Sequence, residues 1–364
     1  MTILLFAIIL GVLVFVHELG HFLAARWSGI AVEEFGFGFP PRLIGWRRGR
    51  TVYSLNWIPF GGFVRLQGEQ ADAAARPDSF SQAKFSRQFF ILAAGVAMNT
   101  LLAWILLTAT LISGVKTDPS TAPHNRYIQS ADSRVEAVVT DGGPADQSGL
   151  RTGDEVLRVN GQSLNTTDQV IALTKELNYP PLELDIRRRL EIISLRIVPR
   201  METDRPRYGL GIQAVTTIRY PWYVASWYAV QTTGQLVGQT VAGFIRLLQD
   251  LVVTARVSPD LTGPVGIAVL TSQVVQYGVI ATLQFMAILS ISLAVVNFLP
   301  IPALDGGRAV FAVLARVRGR PVDTRIEGTI HTIGFYGLLL MIILLSIRDV
   351  LRFRIVEQLR SLFQ

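Results

Sequence analysis

The sequence predicts an α-helical polytopic membrane protein: four transmembrane helices, a membrane-associated β-hairpin and an extracytoplasmic β-rich domain. Three observations predict it. Half of the 364 residues are hydrophobic and only 17% are charged, against about 25% charged in an ordinary globular chain. The deficit is concentrated in four runs that supply the roughly 20 apolar residues a helix needs to cross a bilayer's hydrocarbon. Between the second and third runs the pattern changes to short β-type runs separated by turn residues.

The first span is residues 1–25. It lacks the basic n-region and small-x-small cleavage site of a signal peptide, and its far end carries ionisable residues, so it reads as retained. Residues 26–88 hold nine Arg/Lys (26, 42, 47, 48, 50, 65, 76, 84, 87) against five acids (33, 34, 69, 72, 78), which places them in the cytoplasm. Within them Phe35-Gly-Phe-Gly-Phe-Pro-Pro41, then Arg42 to Trp46 and Thr51 to Trp57 around Arg47-Arg48-Gly49-Arg50, read as a β-hairpin followed by Phe60-Gly-Gly-Phe-Val64. This segment is too apolar for a plain cytosolic loop. The second span is residues 89–113. The β-rich domain, residues 131–214, has strands at Val135–Val139, Glu155–Val159, Leu182–Ile186 and Ile192–Ile197, with one helix at Asp168–Leu177. Residues 221–256 carry Trp222, Trp227 and Tyr228, then Gln231, Gln235, Gln239 and Arg246, and read as an amphipathic interfacial helix rather than a fifth span. The third span (279–299), a cytoplasmic loop (300–328) and the fourth span (329–347) complete the chain. Arg348, Arg352, Arg354 and Arg360 then fall outside, against the positive-inside rule.

The formal charge of +7 comes from basic residues beside the apolar runs, so the polyanion they favour is lipid and not nucleic acid. With no cysteine there is no disulfide, no thiolate metal ligand and no Cys nucleophile.

Chemistry enters with His17-Glu18-Leu-Gly-His21, inside the first span. On a helix, residues i and i+4 share a face, so both imidazoles can bind one metal ion while Glu18 points at its open position. Ionisable groups inside a bilayer are costly, which makes them functional by default. A catalytic zinc wants three protein ligands and a water. Asp305 follows the third span directly, after two helix-breaking prolines, in Asn297-Phe-Leu-Pro300-Ile-Pro302-Ala-Leu-Asp305-Gly-Gly. Locally Asp305 reads equally as a helix cap or turn acid. Topology favours ligation: with residues 221–256 outside the bilayer, spans one and three end on the same side, level with His21. Zinc would then activate water and polarise a carbonyl while Glu18 moves the proton to the leaving amine, which is peptide hydrolysis.

These motifs resemble the site-2 protease family of intramembrane zinc metalloproteases, in its bacterial regulator-of-sigma-E protease branch. The resemblance also rests on Gly263-Pro264-Val-Gly-Ile-Ala268 and on Gly143-Pro-Ala-Asp-Gln-Ser-Gly-Leu150 with Gly153–Gly161, which are similar to a single PDZ domain. It implies Zn2+ held by His17, His21 and Asp305, with Glu18 as catalytic base. It implies a substrate strand accommodated by Asn297, Pro300 and Pro302, and a carboxylate-binding loop at Tyr208-Gly209-Leu-Gly211-Ile212. Where the family tends to show Ala-Gly-Pro-x-x-Asn, this chain has Ala94-Gly95-Val96-Ala-Met-Asn99, without the proline. The implied substrates are single-span membrane proteins, such as anti-sigma factors or signal-peptide remnants, already trimmed by another protease. The implied location is the bacterial inner membrane, with the PDZ-like domain extracytoplasmic and the active site near the cytoplasmic side.

Two pairs of readings stand open. The hairpin either pairs with an unwound substrate segment by strand addition or merely closes the fold. The PDZ-like domain either captures a trimmed terminus or filters substrates by size. Against the protease reading stand a catalytically silent PDZ adaptor, which would lack a ligand or base, and a metal transporter, which would show internal repeats.

Overall fold

Uninterrupted runs of Leu, Ile, Val and Ala satisfy their backbone polar groups inside a bilayer only as helices or closed barrels. The computed structural model describes residues 2–68, 78–117, 130–140, 142–163, 181–188, 191–202, 205–254, 261–320 and 322–353. In chain order the elements are α1 (Thr2–Trp27), β1 (Val32–Arg48), β2 (Thr51–Leu66), α2 (Phe85–Ser113), β3 (Val115–Thr117), β4 (Ser130–Val139), α3 (Pro144–Gln147), β5 (Glu155–Val159) and β6 (Gln162–Ser163). Then come β7 (Leu182–Arg188), β8 (Glu191–Ile197), β9 (Arg200–Glu202), β10 (Arg205–Arg207), β11 (Leu210–Arg219), α4 (Trp222–Thr254), α5 (Pro264–Gln276), α6 (Val279–Phe298), α7 (Asp305–Arg318) and α8 (Thr324–Arg352). The chain divides into two compact units, Met1–Thr108 with Ser226–Gln364, and Ala109–Ala225.

In the first unit, α1, α2, α6 and α8 are the four helices among the described residues that are long and apolar enough to cross a membrane. Two outrun their apolar cores. α2 begins four residues earlier than hydropathy suggests, and α8 extends five residues beyond it at each end, because a helical ladder continues through polar residues until a cap stops it. At the start of α8 that cap is Asp323, whose carboxylate accepts from the Arg325 N–H at 2.8 Å. α4 is one continuous helix of 33 residues, outside that set of four.

Two features correct the sequence reading. The loop expected at 300–328 is largely the 14-residue helix α7. Gly306-Gly307 argues against a helix by propensity, but the following Ala, Val, Phe and Leu are followed by Gly319, whose left-handed φ of +68° ends the helix. Phe60–Val64, expected beyond the hairpin, is its second arm: Phe35 pairs with Val64, Gly36 with Phe63 and Phe37 with Gly62. The short apolar helix α5, with Pro264 in its first turn, falls below the length of a span. Its Gly266 N–H donates to the buried Asp349 carboxylate of α8 at 2.7 Å.

The β1–β2 hairpin folds its base against α1. Phe22, Ile30, Val32, Phe35, Leu66 and Ile91 form a buried cluster, with the Phe22 and Phe35 rings stacked at 4.7 Å. Buried Glu34 pairs with Arg42 at 2.7 Å and Arg65 at 3.6 Å. Farther out, Leu43, Ile44, Trp46, Trp57 and Ile58 are exposed, an apolar surface that a polar solvent does not favour.

The second unit is a seven-stranded antiparallel sheet of order β3-β11-β4-β5-β7-β8, with β6 paired to β5. Its core holds Val135, Leu150, Val156, Leu182, Leu184 and Ile186. On β7 the inward Leu182, Leu184 and Ile186 alternate with outward residues, as the two-residue strand period requires. Asp154, 4% exposed, accepts two hydrogen bonds from Arg188 at 2.8 and 2.6 Å. That carboxylate raises the Arg188 pKa. The helix expected at Asp168–Leu177 lies outside the described residues.

Candidate metal centre

His17 and His21 stand one helical turn apart on α1 and turn toward α2, both about 95% buried at 4% and 5% exposure. The approach of the two helices depends on small residues. A Cβ on Gly20 would lie 2.4 Å from the Ala94 carbonyl oxygen, and one on Gly95 would lie 2.4 Å from His21 Nε2. Asp305 arrives from the other end of the sequence. After α6, Leu299 is extended, Pro300 and Pro302 cannot donate a helical hydrogen bond, and the chain re-enters a helix at Asp305.

The three side chains meet as a triangle. Asp305 Oδ2 lies 2.9 Å from His17 Nε2 and 3.1 Å from His21 Nε2, and the two Nε2 atoms are 3.1 Å apart. Burial pushes the Asp305 carboxyl up, but its hydrogen bonds with His17 and His21, and their charge, hold it well below the ordinary carboxylate range.

These residues fit a metal ion. His21 Nδ1 is 2.8 Å from the Ile91 carbonyl oxygen, which can only accept, so Nδ1 carries the proton. Nε2 is then the nitrogen left to face Asp305 Oδ2, 3.1 Å away, and in the neutral ring it offers its lone pair to a cation seated between them. Tetrahedral ligands about 2.0–2.1 Å from zinc stand about 3.3 Å apart, within about half an ångström of the triangle's edges. The Ile91 carbonyl plays the outer-shell part that fixes a ligating imidazole's tautomer.

Two amides flank His17. Asn99, fully buried, places Nδ2 3.4 Å from His17 Nδ1, and its Oδ1 is without a partner among the described residues. The two ends of an amide are interchangeable in shape, so the turned amide can accept from Nδ1–H as Ile91 does for His21. Asn297 Nδ2 lies 3.4 Å from His17 Nε2. Glu18 stands apart from the triangle, with its Oε2 accepting from the Val64 N–H of β2 at 3.0 Å. The hairpin therefore holds the acid beside the His17–His21–Asp305 triangle. Arg308, one turn into α7, is a cation near this acid: burial lowers its pKa, opposed by the carboxylates of Glu327 and Glu18.

Of the remaining candidate residues, Pro300 is exposed and Pro302 half-buried on the loop before Asp305. Gly209 and Gly211 belong to the second unit, where Gly209 has φ +64° and its carbonyl accepts from the Thr140 N–H at 2.9 Å. Gly211 pairs opposite Val138. His331 lies inside α8 and accepts from the Ala303 N–H at 2.8 Å. An ionisable residue in an apolar helix was the signal. The contributions of the Ile91 carbonyl and Val64 N–H are backbone groups, which carry no residue signature.

Two imidazoles and a carboxylate close on one point among apolar helices, with Glu18 beside them, a set of donors of the kind that could hold a metal ion in a metallopeptidase. The chain belongs to peptidase family M50, whose family model matches residues 5–342. It is 32% identical to a Clostridium perfringens protein named provisionally as a zinc metalloprotease, over 93% of this chain and 95% of that one. It is 28% identical to the zinc metalloprotease RasP of Geobacillus kaustophilus, over 97% and 98% of the two chains. It is 27% identical to the regulator of sigma-W protease RasP of Bacillus subtilis, over 96% and 98%.

Proposed function

We propose that this protein is an intramembrane zinc endopeptidase in which His17, His21 and Asp305 hold the metal and Glu18 is the catalytic base. The observation that carries the reading is the His17–His21–Asp305 triangle, with donors from α1 and α7 brought together from 284 residues apart. The zinc metalloprotease names of the relatives support the choice of metal.

Bound there, zinc supplies Lewis acidity toward a water molecule and toward the scissile carbonyl. The protein's own residues do the rest. Glu18, oriented by the Val64 N–H, takes a proton from the attacking water and returns it to the departing amine. Asn297, beside His17, offers its amide N–H to the substrate carbonyl, and with Pro300 and Pro302 it accommodates the substrate strand. The substrates are single-span membrane proteins, anti-sigma factors or signal-peptide remnants, trimmed beforehand by another protease. A relative named for regulation of sigma-W supports that class. Residues 131–214 act as an extracytoplasmic PDZ-like domain, with Gly209 and Gly211 in its carboxylate-binding loop, in a bacterial inner-membrane protein. A catalytically silent adaptor would lack a ligand or the base, and all four residues are present.

The test is cleavage of a single-span reporter by the detergent-purified full chain. Chelation abolishes cleavage and added zinc restores it under this reading. Cleavage that persists after verified removal of metal contradicts it.

A further inference from the structure

α8 supplies no ligand to the triangle, and much of its apolar surface is exposed, including Ile333, Phe335 and Tyr336. Yet it carries a histidine and a glycine, His331 and Gly334, on one face at i and i+3, both against the loop that delivers Asp305. The Ala303 N–H donates to His331 Nδ1 at 2.8 Å. A Cβ on Gly334 would lie 2.4 Å from Pro302 Cβ and 2.7 Å from the Pro302 carbonyl oxygen. Pro302 and Ala303 thus sit in a notch on α8.

Two further observations show that this contact sets the loop's geometry. Ala303 has φ +76°, a left-handed conformation that L residues other than Asn and Asp seldom adopt. It directs the Ala303 N–H at His331, two residues before Asp305. The histidine has also yielded to the contact. Because Nδ1 accepts, the ring proton is on Nε2, which is buried and without a partner among the described residues. Buried donors are nearly always paired. The ring is held from the α7 side by Phe311, with centroids 5.4 Å apart.

We propose that His331 is a positioning residue for the metal centre: through Ala303 it fixes the path of the Pro302–Asp305 segment and so the direction from which the Asp305 carboxylate meets His17 and His21. The fourth span is thereby coupled to metal affinity without touching the metal. This rests on the metal-site reading above.

The test uses the purified full chain. Zinc affinity is measured by competition with a chromophoric chelator, and ligand geometry by the visible spectrum of the cobalt-substituted protein. His331→Leu removes the acceptor and is expected to weaken zinc binding about 10- to 100-fold, the range for outer-shell partners, and to change the cobalt spectrum. His331→Asn keeps an acceptor oxygen near the position of Nδ1 and is expected to restore affinity to within a few-fold of wild type. Gly334→Ala, which leaves His331 in place and fills the notch, is expected to weaken binding as well. Wild-type zinc affinity and cobalt spectrum in both His331→Leu and Gly334→Ala overturn the proposal, as does His331→Asn binding no better than His331→Leu. A wild type that binds no zinc overturns the metal-site reading itself and this proposal with it.

Discussion

Gly95→Ala is a one-methyl perturbation whose consequence can be worked from the geometry. The added Cβ would stand 2.4 Å from His21 Nε2, 2.7 Å from His17 Cε1 and 2.8 Å from His17 Nε2. Ordinary contact begins near 3.4 Å, so the His21 ring must retreat by about 1 Å, five times the roughly 0.2 Å within which a metal-ligand distance is held. A misplacement of about 1 Å costs catalysis on the order of 100-fold. The helix itself does not suffer, because Ala is favoured over Gly in a helix interior by about 1 kcal/mol. Gly95→Ala should therefore stay folded, as judged by circular dichroism and a monodisperse elution profile, while losing zinc on dialysis and cleaving a reporter about 100-fold more slowly. Gly238→Ala on α4, where a Cβ meets nothing within 4 Å, is the matched control and should retain both. If Gly95→Ala holds stoichiometric zinc and cleaves at the wild-type rate, the two imidazoles do not close against α2 at this glycine and the reasoning fails.

Asn99→Leu removes the buried amide beside His17 Nδ1 and should lower zinc affinity about 10- to 100-fold; an unchanged competition titration counts against this role. Glu34→Ala strips Arg42 and Arg65 of their shared carboxylate. Both guanidinium groups are about half exposed, so solvent screening limits the cost to about 1–2 kcal/mol. The expected readout is faster hydrogen exchange across residues 32–66, and an exchange pattern identical to wild type removes the pair from the account.

What was legible in the sequence follows from how local each feature is. The four apolar helices are visible because a bilayer imposes length and composition on every residue of a span. The His17–His21 pairing is visible because the helical period alone sets it. Asp305 was reachable only through topology, since locally a carboxylate after two prolines also reads as a cap. α7 was hidden by Gly306-Gly307, which propensity counts against a helix. The structure gives a packing reason for the first of them: a Cβ on Gly306 would lie 2.1 Å from the Leu299 carbonyl oxygen. The full length of the hairpin was hidden by its irregular register, with repeated shifts between Val32 and Ile44 that break the alternation on which strand reading depends. His331 was one isolated histidine, and its partner is a backbone N–H that no sequence pattern records.

The most direct test of the central claim separates metal binding from proton transfer at one residue. Glu18 lies outside the His17–His21–Asp305 triangle, so Glu18→Gln should leave the ligands intact while removing the base. Zinc content and reporter cleavage are measured on the same preparations of wild type and Glu18→Gln. About one zinc per chain is expected in both, with cleavage by the wild type alone. Cleavage by Glu18→Gln at a rate near that of the wild type, with zinc still bound, would show that another group moves the proton and would contradict Glu18 as the base.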